Sequence, residues 1–248
     1  MQLTVHDWDR SARARQTAAS LSGHEVQIWL ATVPGDATDL TEIAGSLSLG
    51  ERQRAARMQA LEAQRQFIVG RGCLREVLAA ALDAHPAALS FEMGARGKPA
   101  LASTRCGGDL RFNLAHSGAR VAIAITYGRD VGVDIERIEP HIDWPALAAR
   151  VFAPRELSRL AALGEDQRRL AFYQGWTRKE AYCKATGEGL SDALCELEVN
   201  LAPGADAQLL ALPAGPNKFR RWAIWELAVG PDFAGAVVAE QDSPPTVS

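Results

Sequence analysis

A short segment in the middle of the chain, Gly132–Ile138, carries two acidic side chains among apolar and β-branched residues. Asp134 and Glu136 are two residues apart, and because side chains alternate along a strand, both carboxylates point to one face. Two like charges this close are unfavourable unless a cation lies between them, and oxygen-only ligands favour a hard ion such as Mg²⁺. The pair indicates either a metal site or, as is commoner for two acids taken alone, a solvated strand face.

A second segment, Trp176–Thr186, has the spacing of a helix and carries an acid between two lysines. Glu180 and Lys184 are four residues apart with the acid first, which is also the pattern of an ordinary surface ion pair. The following Gly187 can cap the helix and turn the chain sharply. If the helix lies beside the strand, Glu180 completes a site of three carboxylates, while Lys179 and Lys184 face phosphate oxygens. Mg²⁺ sites commonly combine few carboxylates with substrate phosphates.

Three other segments carry side chains that suit phosphate binding, each with a plainer alternative. His116 precedes a Ser-Gly turn that can place its imidazole at a rim, although a lone histidine is more often structural. Lys98 lies in a loop fixed by glycine and proline, which is otherwise a plain solvated turn. The arginines of the region Ser48–Ala81, Arg54 and Arg71 among them, form either a solvated helix face or a basic surface that grips a phosphate.

The composition bounds the function classes. The 248 residues suffice for one large domain or two small ones, and 47% hydrophobic residues support a real core. A net charge of -3 argues against nucleic acid as a main partner. No apolar run approaches the roughly 20 residues that span a bilayer, and the N-terminal residues lack a secretory signal. The four cysteines are scattered and include no C-x-x-C pair, so we expect a reduced, cytoplasmic protein without a membrane segment.

The hydrophobic pattern places both acidic segments in regular elements. In the long helical region Ser48–Ala81, Gly70 and Gly72 mark either a close helix approach or a break between two helices. The other predicted helices are Pro154–Leu163 and Asp166–Thr186. The predicted strands are Glu25–Val33, Leu89–Met93, Leu110–Leu114, Arg120–Thr126, Val131–Ile138, Cys195–Leu201, Phe219–Leu227 and Phe233–Ala239.

Each half of the chain offers a helix-rich block and several short strands, which predicts two similar α/β subdomains. Residues 25–128 form the first and residues 129–240 the second, and no low-complexity linker separates them. Residues 1–24 are polar and lack a clear period, so we expect a loosely ordered N-terminal arm. Residues 241–248 predict a disordered tail.

These motifs occur together and in order, and with them the chain resembles the 4′-phosphopantetheinyl transferases, specifically the long, monomeric class typified by the surfactin-synthetase activator. The resemblance covers about Val26 to Glu240, and its last two motifs, with the spacing between them, are the most specific. The motifs are Gly70-Arg-Gly72, Arg96-Gly-Lys-Pro-Ala-Leu101, Phe112-Asn-Leu-Ala-His-Ser-Gly118, Gly132-Val-Asp-Ile-Glu-Arg-Ile138 and the segment from Trp176 to Leu190.

The resemblance implies a fold, an activity and partners. The fold is α/β in the α+β sense: a pseudo-dimer of two similar subdomains, each with a small, mostly antiparallel sheet packed against helices, and an active site in the cleft between them. The enzyme moves the 4′-phosphopantetheine arm of coenzyme A onto a serine hydroxyl of an apo acyl or peptidyl carrier protein and releases adenosine 3′,5′-bisphosphate. A monomer with an internal pseudo-two-fold axis is implied.

The resemblance also implies roles for individual residues. Asp134, Glu136 and Glu180 correspond to ligands of Mg²⁺, for which Mn²⁺ is a possible substitute. Asp134, Glu180 and Lys184 are the catalytic set, with Glu180 as the base, directly or through a water, and Lys184 at the pyrophosphate. The family often has Ser where this chain has Ala115, so one hydroxyl contact to phosphate is missing. The expected contacts to coenzyme A are Arg54, Arg71, Arg96, Gly97, Lys98, Pro99, Asn113, His116, Lys179 and Lys184.

Two other functions remain as alternatives. One is a different Mg²⁺-dependent phosphoryl or nucleotidyl transferase, against which stands the lack of a P-loop and of a kinase-like glycine-rich loop. The other is a non-catalytic relative that only binds carrier proteins. That function predicts a lost acidic ligand, whereas all three candidate acids are present. The choice among carriers of fatty-acid, polyketide and nonribosomal-peptide synthesis stays open.

Overall fold

The structure is a computed structural model that describes residues 1–35, 40–94, 97–102, 109–187, 192–213 and 221–241. The chain divides into two compact units, Met1–Gly128 and Arg129–Ser248. Each unit has its own sheet and its own cluster of buried apolar side chains. No helix of the described residues is long and apolar enough to cross a membrane.

The first unit is built on a four-stranded sheet. The strands of the whole unit are β1 (Gln2–Asp7), β2 (Glu25–Thr32), β3 (Phe91–Met93), β4 (Pro99–Leu101), β5 (Leu110–Ser117) and β6 (Arg120–Tyr127). The helices of the unit are α1 (Ala12–Ala19), α2 (Thr41–Gly45), α3 (Leu49–Ala56) and α4 (Leu61–Ala81). The sheet order is β1-β2-β6-β5, in which β1 runs parallel to β2 and the other pairs are antiparallel. Strands β3 and β4 form a separate antiparallel pair.

Helix α4 covers this sheet with one apolar face. Its buried residues Val69, Cys73, Val77 and their neighbours recur every three or four positions, as expected for the inner stripe of a helix. They share a core cluster with alternate residues of the strands, such as Trp29 and Phe112. Since full burial of a large apolar side chain contributes about 1.5–3 kcal/mol, this stripe fixes α4 on the sheet.

The N-terminal residues are not a loose arm, and that expectation is corrected. Strand β1 pairs with β2 over its whole length, from Gln2 opposite Glu25 onward. Helix α1 is capped by Ser11, whose hydroxyl accepts a hydrogen bond from the Ala14 N–H at 3.1 Å. Ala18 and Leu21 are buried in the first unit's core. The ladder and this apolar contact hold a segment whose own composition gives no period.

The long helical region contains two helices, and the break does not lie at the predicted glycines. Helix α3 begins with a capping box in which Ser48 and Glu51 bond reciprocally, and it ends before Arg57. Helix α4 then runs without interruption through Gly70 and Gly72. A Cβ at Gly72 would overlap the side chain of Ile43 on α2, so this glycine permits a close helix approach.

The second unit has a three-stranded antiparallel sheet of order β10-β11-β7. The strands of the whole unit are β7 (Val131–Arg137), β8 (Glu198–Val199), β9 (Leu209–Ala211), β10 (Arg221–Glu226) and β11 (Phe233–Gln241), of which β8 and β9 form a separate pair. The helices of the unit are α5 (Trp144–Val151), α6 (Pro154–Ala161) and α7 (Glu165–Thr186). The predicted strand Cys195–Leu201 is shorter, because a 3-10 turn at Asp192–Cys195 precedes the two residues of β8. The predicted tail lies, apart from Gln241, outside the described residues.

The predicted fold class, α+β with small sheets packed against helices, is confirmed. In the second unit, α7 packs on β7 and β11, the two strands that form the centre and one edge of the sheet. Gly187 ends α7 in the left-handed conformation at φ 70°, as its position in the sequence predicted. The fold therefore places the acidic strand and the acidic helix of the sequence against each other.

Candidate active site

Gly132 sets the distance between β7 and α7. A Cβ at this position would overlap the carbonyl oxygen of Ala181 and the backbone nitrogen of Ala185 on the helix. Only glycine therefore allows the helix backbone so close to the strand. Because Glu180 and Lys184 directly precede those two alanines, this approach brings both side chains beside the strand face that carries Asp134. The role of Gly132 was not predicted from the sequence, because its contacts are with a helix far along the chain.

Replacing Gly132 with alanine is expected to lower the free energy of unfolding by about 1–3 kcal/mol, because the added methyl group forces the helix away from the strand. Denaturant unfolding followed by circular dichroism measures this. Gly50→Ala is the matched control, since Gly50 lies in α3 with no atom within 4 Å of an added Cβ. Equal stability of both variants and the parent would contradict the close approach of α7 to β7.

Asp134 is a buried carboxylate with one satisfied and one unsatisfied oxygen. Its side chain points from β7 toward α7, and the residue is 3% exposed. Oδ1 accepts a hydrogen bond from Nζ of Lys184 at 2.6 Å, while Oδ2 is buried without a hydrogen-bond partner. Burial and, to a smaller extent, the charges of Glu136 and Glu180 raise the pKa of Asp134 to about 7, against the opposing effect of Lys184. The charges of both other candidate ligands therefore act on Asp134.

Glu180 has the same kind of environment on the helix side. Its Oε1 is buried without a hydrogen-bond partner. Burial raises the pKa of Glu180, the nearby ammonium of Lys184 lowers it, and the charge of Glu136 raises it. A buried oxygen left without a partner is costly, so two such carboxylate oxygens on facing elements indicate a site for a cation.

The donor set suits Mg²⁺ in its chemistry. All three candidate ligands, Asp134, Glu136 and Glu180, offer carboxylate oxygens, and two of these oxygens are buried and unsatisfied. Among the described residues, no three acidic, His or Cys side chains already converge closely enough to hold a metal ion. The cation that Asp134 contacts is the ammonium of Lys184. The residues therefore fit a hard divalent ion in type and burial.

The raised pKa of Asp134 predicts how stability depends on pH without added metal. In the folded protein, Asp134 stays protonated up to about pH 7, whereas in the unfolded chain it loses this proton near pH 3.8. The favourable contribution is complete below pH 3.8 and is lost as the pH rises through about 7. As the pH rises from 5 to 8, the loss of this proton should lower the free energy of unfolding by about 3 kcal/mol. Denaturant unfolding in the presence of a chelator should show that slope in the parent, and Asp134→Asn should lack it.

Lys179 does not belong to this site, and its predicted phosphate contact is wrong. Five helical positions separate it from Lys184, which turns the two side chains about 140° apart around the helix. Its Nζ donates to the carbonyl oxygens of Val151 and Leu194 at 2.9 and 2.8 Å and to Oε2 of Glu156 at 2.6 Å. These bonds use all three of its protons, and the residue is 1% exposed. Lys179 is therefore a structural residue of the second unit.

Two of the three predicted arginines of the first unit, Arg54 and Arg71, lie over aromatic rings. Arg71 pairs with Glu51 at 2.6 Å, and its guanidinium carbon lies 4.5 Å from the ring centre of Phe91. Arg54 is exposed, and its guanidinium carbon lies 5.0 Å from the ring centre of Phe67. Arg71 is held in place and partly neutralised, whereas Arg54 presents its charge at the surface.

The remaining predicted residues of the first unit lie at the β3–β4 turn and on β5. Gly97 adopts φ 80° and donates its N–H to the carbonyl oxygen of Gly94, and Lys98 and Pro99 lead into β4. Arg96 lies outside the described residues. On β5, His116 is exposed and Asn113 is buried. Ala115, where the family often has Ser, is also buried, so the missing hydroxyl leaves a packed methyl group.

Comparisons with known proteins cover both units. Residues 34–127 match a family model described as 4′-phosphopantetheinyl transferase, N-terminal, and residues 130–238 match the 4′-phosphopantetheinyl transferase superfamily model. The 4′-phosphopantetheinyl transferase HetI of Nostoc sp. is 36% identical over 218 residues, which are 88% of this chain and 89% of that protein. The 4′-phosphopantetheinyl transferase of Bacillus subtilis is 32% identical over 169 residues, which are 68% of this chain and 72% of that protein.

A shorter match points to the same family. The 4′-phosphopantetheinyl transferase AcpT of Salmonella typhimurium is 42% identical over 94 residues, which are 38% of this chain and 47% of that protein. Family models thus match both halves of the chain in order, and a relative above 30% identity aligns over most of its length. The chain therefore belongs to the 4′-phosphopantetheinyl transferase superfamily, in its long class, and is an enzyme of that family.

Proposed function

We propose that this enzyme transfers the 4′-phosphopantetheine group of coenzyme A to a serine hydroxyl of an apo acyl or peptidyl carrier protein, in a reaction that depends on Mg²⁺. The observation that carries the proposal is the pair of buried carboxylate oxygens without hydrogen-bond partners, Oδ2 of Asp134 and Oε1 of Glu180, beside the ammonium of Lys184. Mg²⁺ would satisfy such oxygens, and it would attract the pyrophosphate of coenzyme A to the same site.

Asp134, Glu136 and Glu180 are the residues that would hold the metal. When bound, Mg²⁺ supplies Lewis-acid stabilisation of the negative charge on the pyrophosphate oxygens. Burial of Asp134 strengthens its attraction for a cation, because few water molecules compete for the carboxylate. Gly132 supports this arrangement, because it permits the close approach of α7 that brings Glu180 to the strand.

In the proposed reaction, Glu180 accepts a proton and Lys184 neutralises negative charge. The serine oxygen attacks the phosphorus next to the pantetheine, and the bond from that phosphorus to the bridging oxygen breaks. The serine proton passes to Glu180, directly or through a water, and adenosine 3′,5′-bisphosphate leaves with the electron pair of the broken bond. Lys184, whose side chain is 31% exposed, is proposed to neutralise negative charge on the transferring phosphate.

The first unit provides the proposed contacts to coenzyme A. Arg54, Lys98 and His116 offer accessible or half-exposed cationic or imidazole groups, which suit the pyrophosphate and the ribose 3′-phosphate. Arg71 contributes through a guanidinium already fixed by Glu51, and the buried Asn113 helps to shape β5. Gly97 and Pro99 set the turn that presents Lys98, and Arg96 of the same motif is proposed as a further contact.

The direct test is intact-protein mass spectrometry of apo carrier proteins after incubation with the enzyme, coenzyme A and Mg²⁺. We expect a mass gain of one phosphopantetheine arm that a chelator prevents and that Mg²⁺ or Mn²⁺ restores. A panel with fatty-acid, polyketide and nonribosomal-peptide carriers identifies the substrate. Binding of a carrier without a mass gain would support the non-catalytic alternative. Transfer of a nucleotidyl or bare phosphoryl group would support the other transferase class.

A further inference from the structure

Two lysines of α7 form ion pairs with the same N–O distance, but the two pairs differ strongly in burial. Nζ of Lys179 lies 2.6 Å from Glu156, and Nζ of Lys184 lies 2.6 Å from Asp134. The side chains of the first pair are 2% and 0% exposed, and Lys179 has two further carbonyl acceptors. The Lys184 side chain is 31% exposed, and its ion pair with Asp134 is its one hydrogen bond among the described residues. Lys179 is therefore fixed by three hydrogen bonds, whereas the side chain of Lys184 can rotate away from Asp134 into solvent.

Asp134 cannot move to accommodate a second cation. It lies in β7, whose backbone pairs with β11, and its side chain is 5% exposed. Lys184 has a flexible four-carbon stem and lies in the last turn of its helix, with a path to solvent. Two cations at one buried carboxylate repel each other strongly, because little water screens them. When a divalent ion binds Asp134, the ammonium of Lys184 is therefore the partner that must yield.

We propose that Lys184 and the divalent metal compete for Asp134, so that metal binding displaces the Lys184 ammonium and frees it to meet the substrate phosphate. This inference rests on the metal site of the proposed function and adds the order in which Lys184 exchanges Asp134 for the substrate phosphate. Lys184 neutralises the acidic site before the metal enters and then becomes a phosphate contact. The same side chain thereby couples metal loading to the binding of the pyrophosphate.

Metal binding without coenzyme A tests the competition. Mn²⁺ is titrated into the full chain at about pH 8, above the pKa of Asp134, and free Mn²⁺ is followed by electron paramagnetic resonance. Lys184→Met is expected to bind Mn²⁺ roughly tenfold more tightly than the parent, because a competing positive charge is gone. Arg155→Met is the matched control, since it removes an exposed positive charge from α6 of the same unit, and it should leave the affinity unchanged.

Lysine labelling of the unaltered protein tests the displacement itself. The chain has four lysines, so pulsed acylation and mass spectrometry can follow each one. Labelling of Lys184 should rise severalfold when Mn²⁺ is added without coenzyme A, and Lys98 should not change. In Asp134→Asn, Lys184 should label rapidly with or without metal. This measurement needs no Lys184 variant, so it does not depend on whether Lys184→Met folds.

The outcomes separate this inference from the proposed function. Unchanged or weaker Mn²⁺ binding by a folded Lys184→Met would overturn the competition. Bound Mn²⁺ without a change in Lys184 labelling would overturn the displacement while leaving the metal site in place. No Mn²⁺ binding by the parent, with or without coenzyme A, would instead overturn the metal site of the proposed function and this inference with it.

Discussion

Replacing Asp134 with asparagine is expected to lower phosphopantetheine transfer by about 10²–10³-fold, the scale on which one preorganised electrostatic contact affects catalysis. The amide keeps the shape of the side chain but removes the negative charge that the proposed metal and Lys184 both require. Initial rates of transfer to an apo carrier at saturating coenzyme A measure the effect. The loss should appear mainly in the turnover rate, because the contact acts on the transferring phosphate rather than on distant parts of coenzyme A.

The stability of this variant separates a chemical defect from a folding defect. Above about pH 7, Asp134 is a buried charge in the folded protein, so its neutral replacement should leave the metal-free protein at least as stable as the parent. Lys184 loses its partner but has access to solvent, which limits the cost. Glu165→Gln, which changes an exposed acid in the first turn of the same helix, should keep parent activity. Near-parent turnover of a folded Asp134→Asn would remove this residue from the proposed metal site.

Local pattern predicted the elements that carry this site. The apolar, β-branched residues around Asp134 and Glu136 predicted a strand from Val131 to Ile138, and β7 spans Val131–Arg137. Apolar spacing and Gly187 predicted α7 and its end. Both signals depend on residues close in sequence, so they are legible without knowledge of tertiary structure. The relation of the strand to the helix entered through the family resemblance instead.

Non-local contacts explain what the sequence analysis missed. Lys179 and Lys184 look alike in the motif, and only Glu156 and two carbonyl groups from distant segments show that Lys179 is structural. Gly132 has no local mark of its role, because the helix that it accommodates lies about 50 residues further on. Strand β1 is short and polar, and its partner β2 is separated from it by α1, so its pairing is invisible to a periodicity argument.

Replacing Lys179 with methionine is expected to lower the free energy of unfolding by about 3–5 kcal/mol, because it leaves a buried charge without its partner. The carboxylate of Glu156 is fully buried and accepts backbone N–H bonds from Ala153 and Val199, which hold it in place between α6 and β8. Without the ammonium, this carboxylate must either stay charged in the core or take up a proton. Denaturant unfolding measures the loss, and the same region should become more open to proteolysis.

Two further variants decide the reason for that loss. Glu156→Gln combined with Lys179→Met should recover part of the stability, because the double variant removes both charges, although the single amide oxygen keeps only one of the two backbone hydrogen bonds to the side chain. Lys184→Met changes the other lysine of α7 and should cost less than about 1 kcal/mol, since its ion pair is partly open to solvent. If Lys179→Met were as stable as Lys184→Met but failed to bind coenzyme A, Lys179 would be a phosphate contact after all. The equal pair lengths make this comparison sharp, because only burial and the number of acceptors distinguish the two lysines.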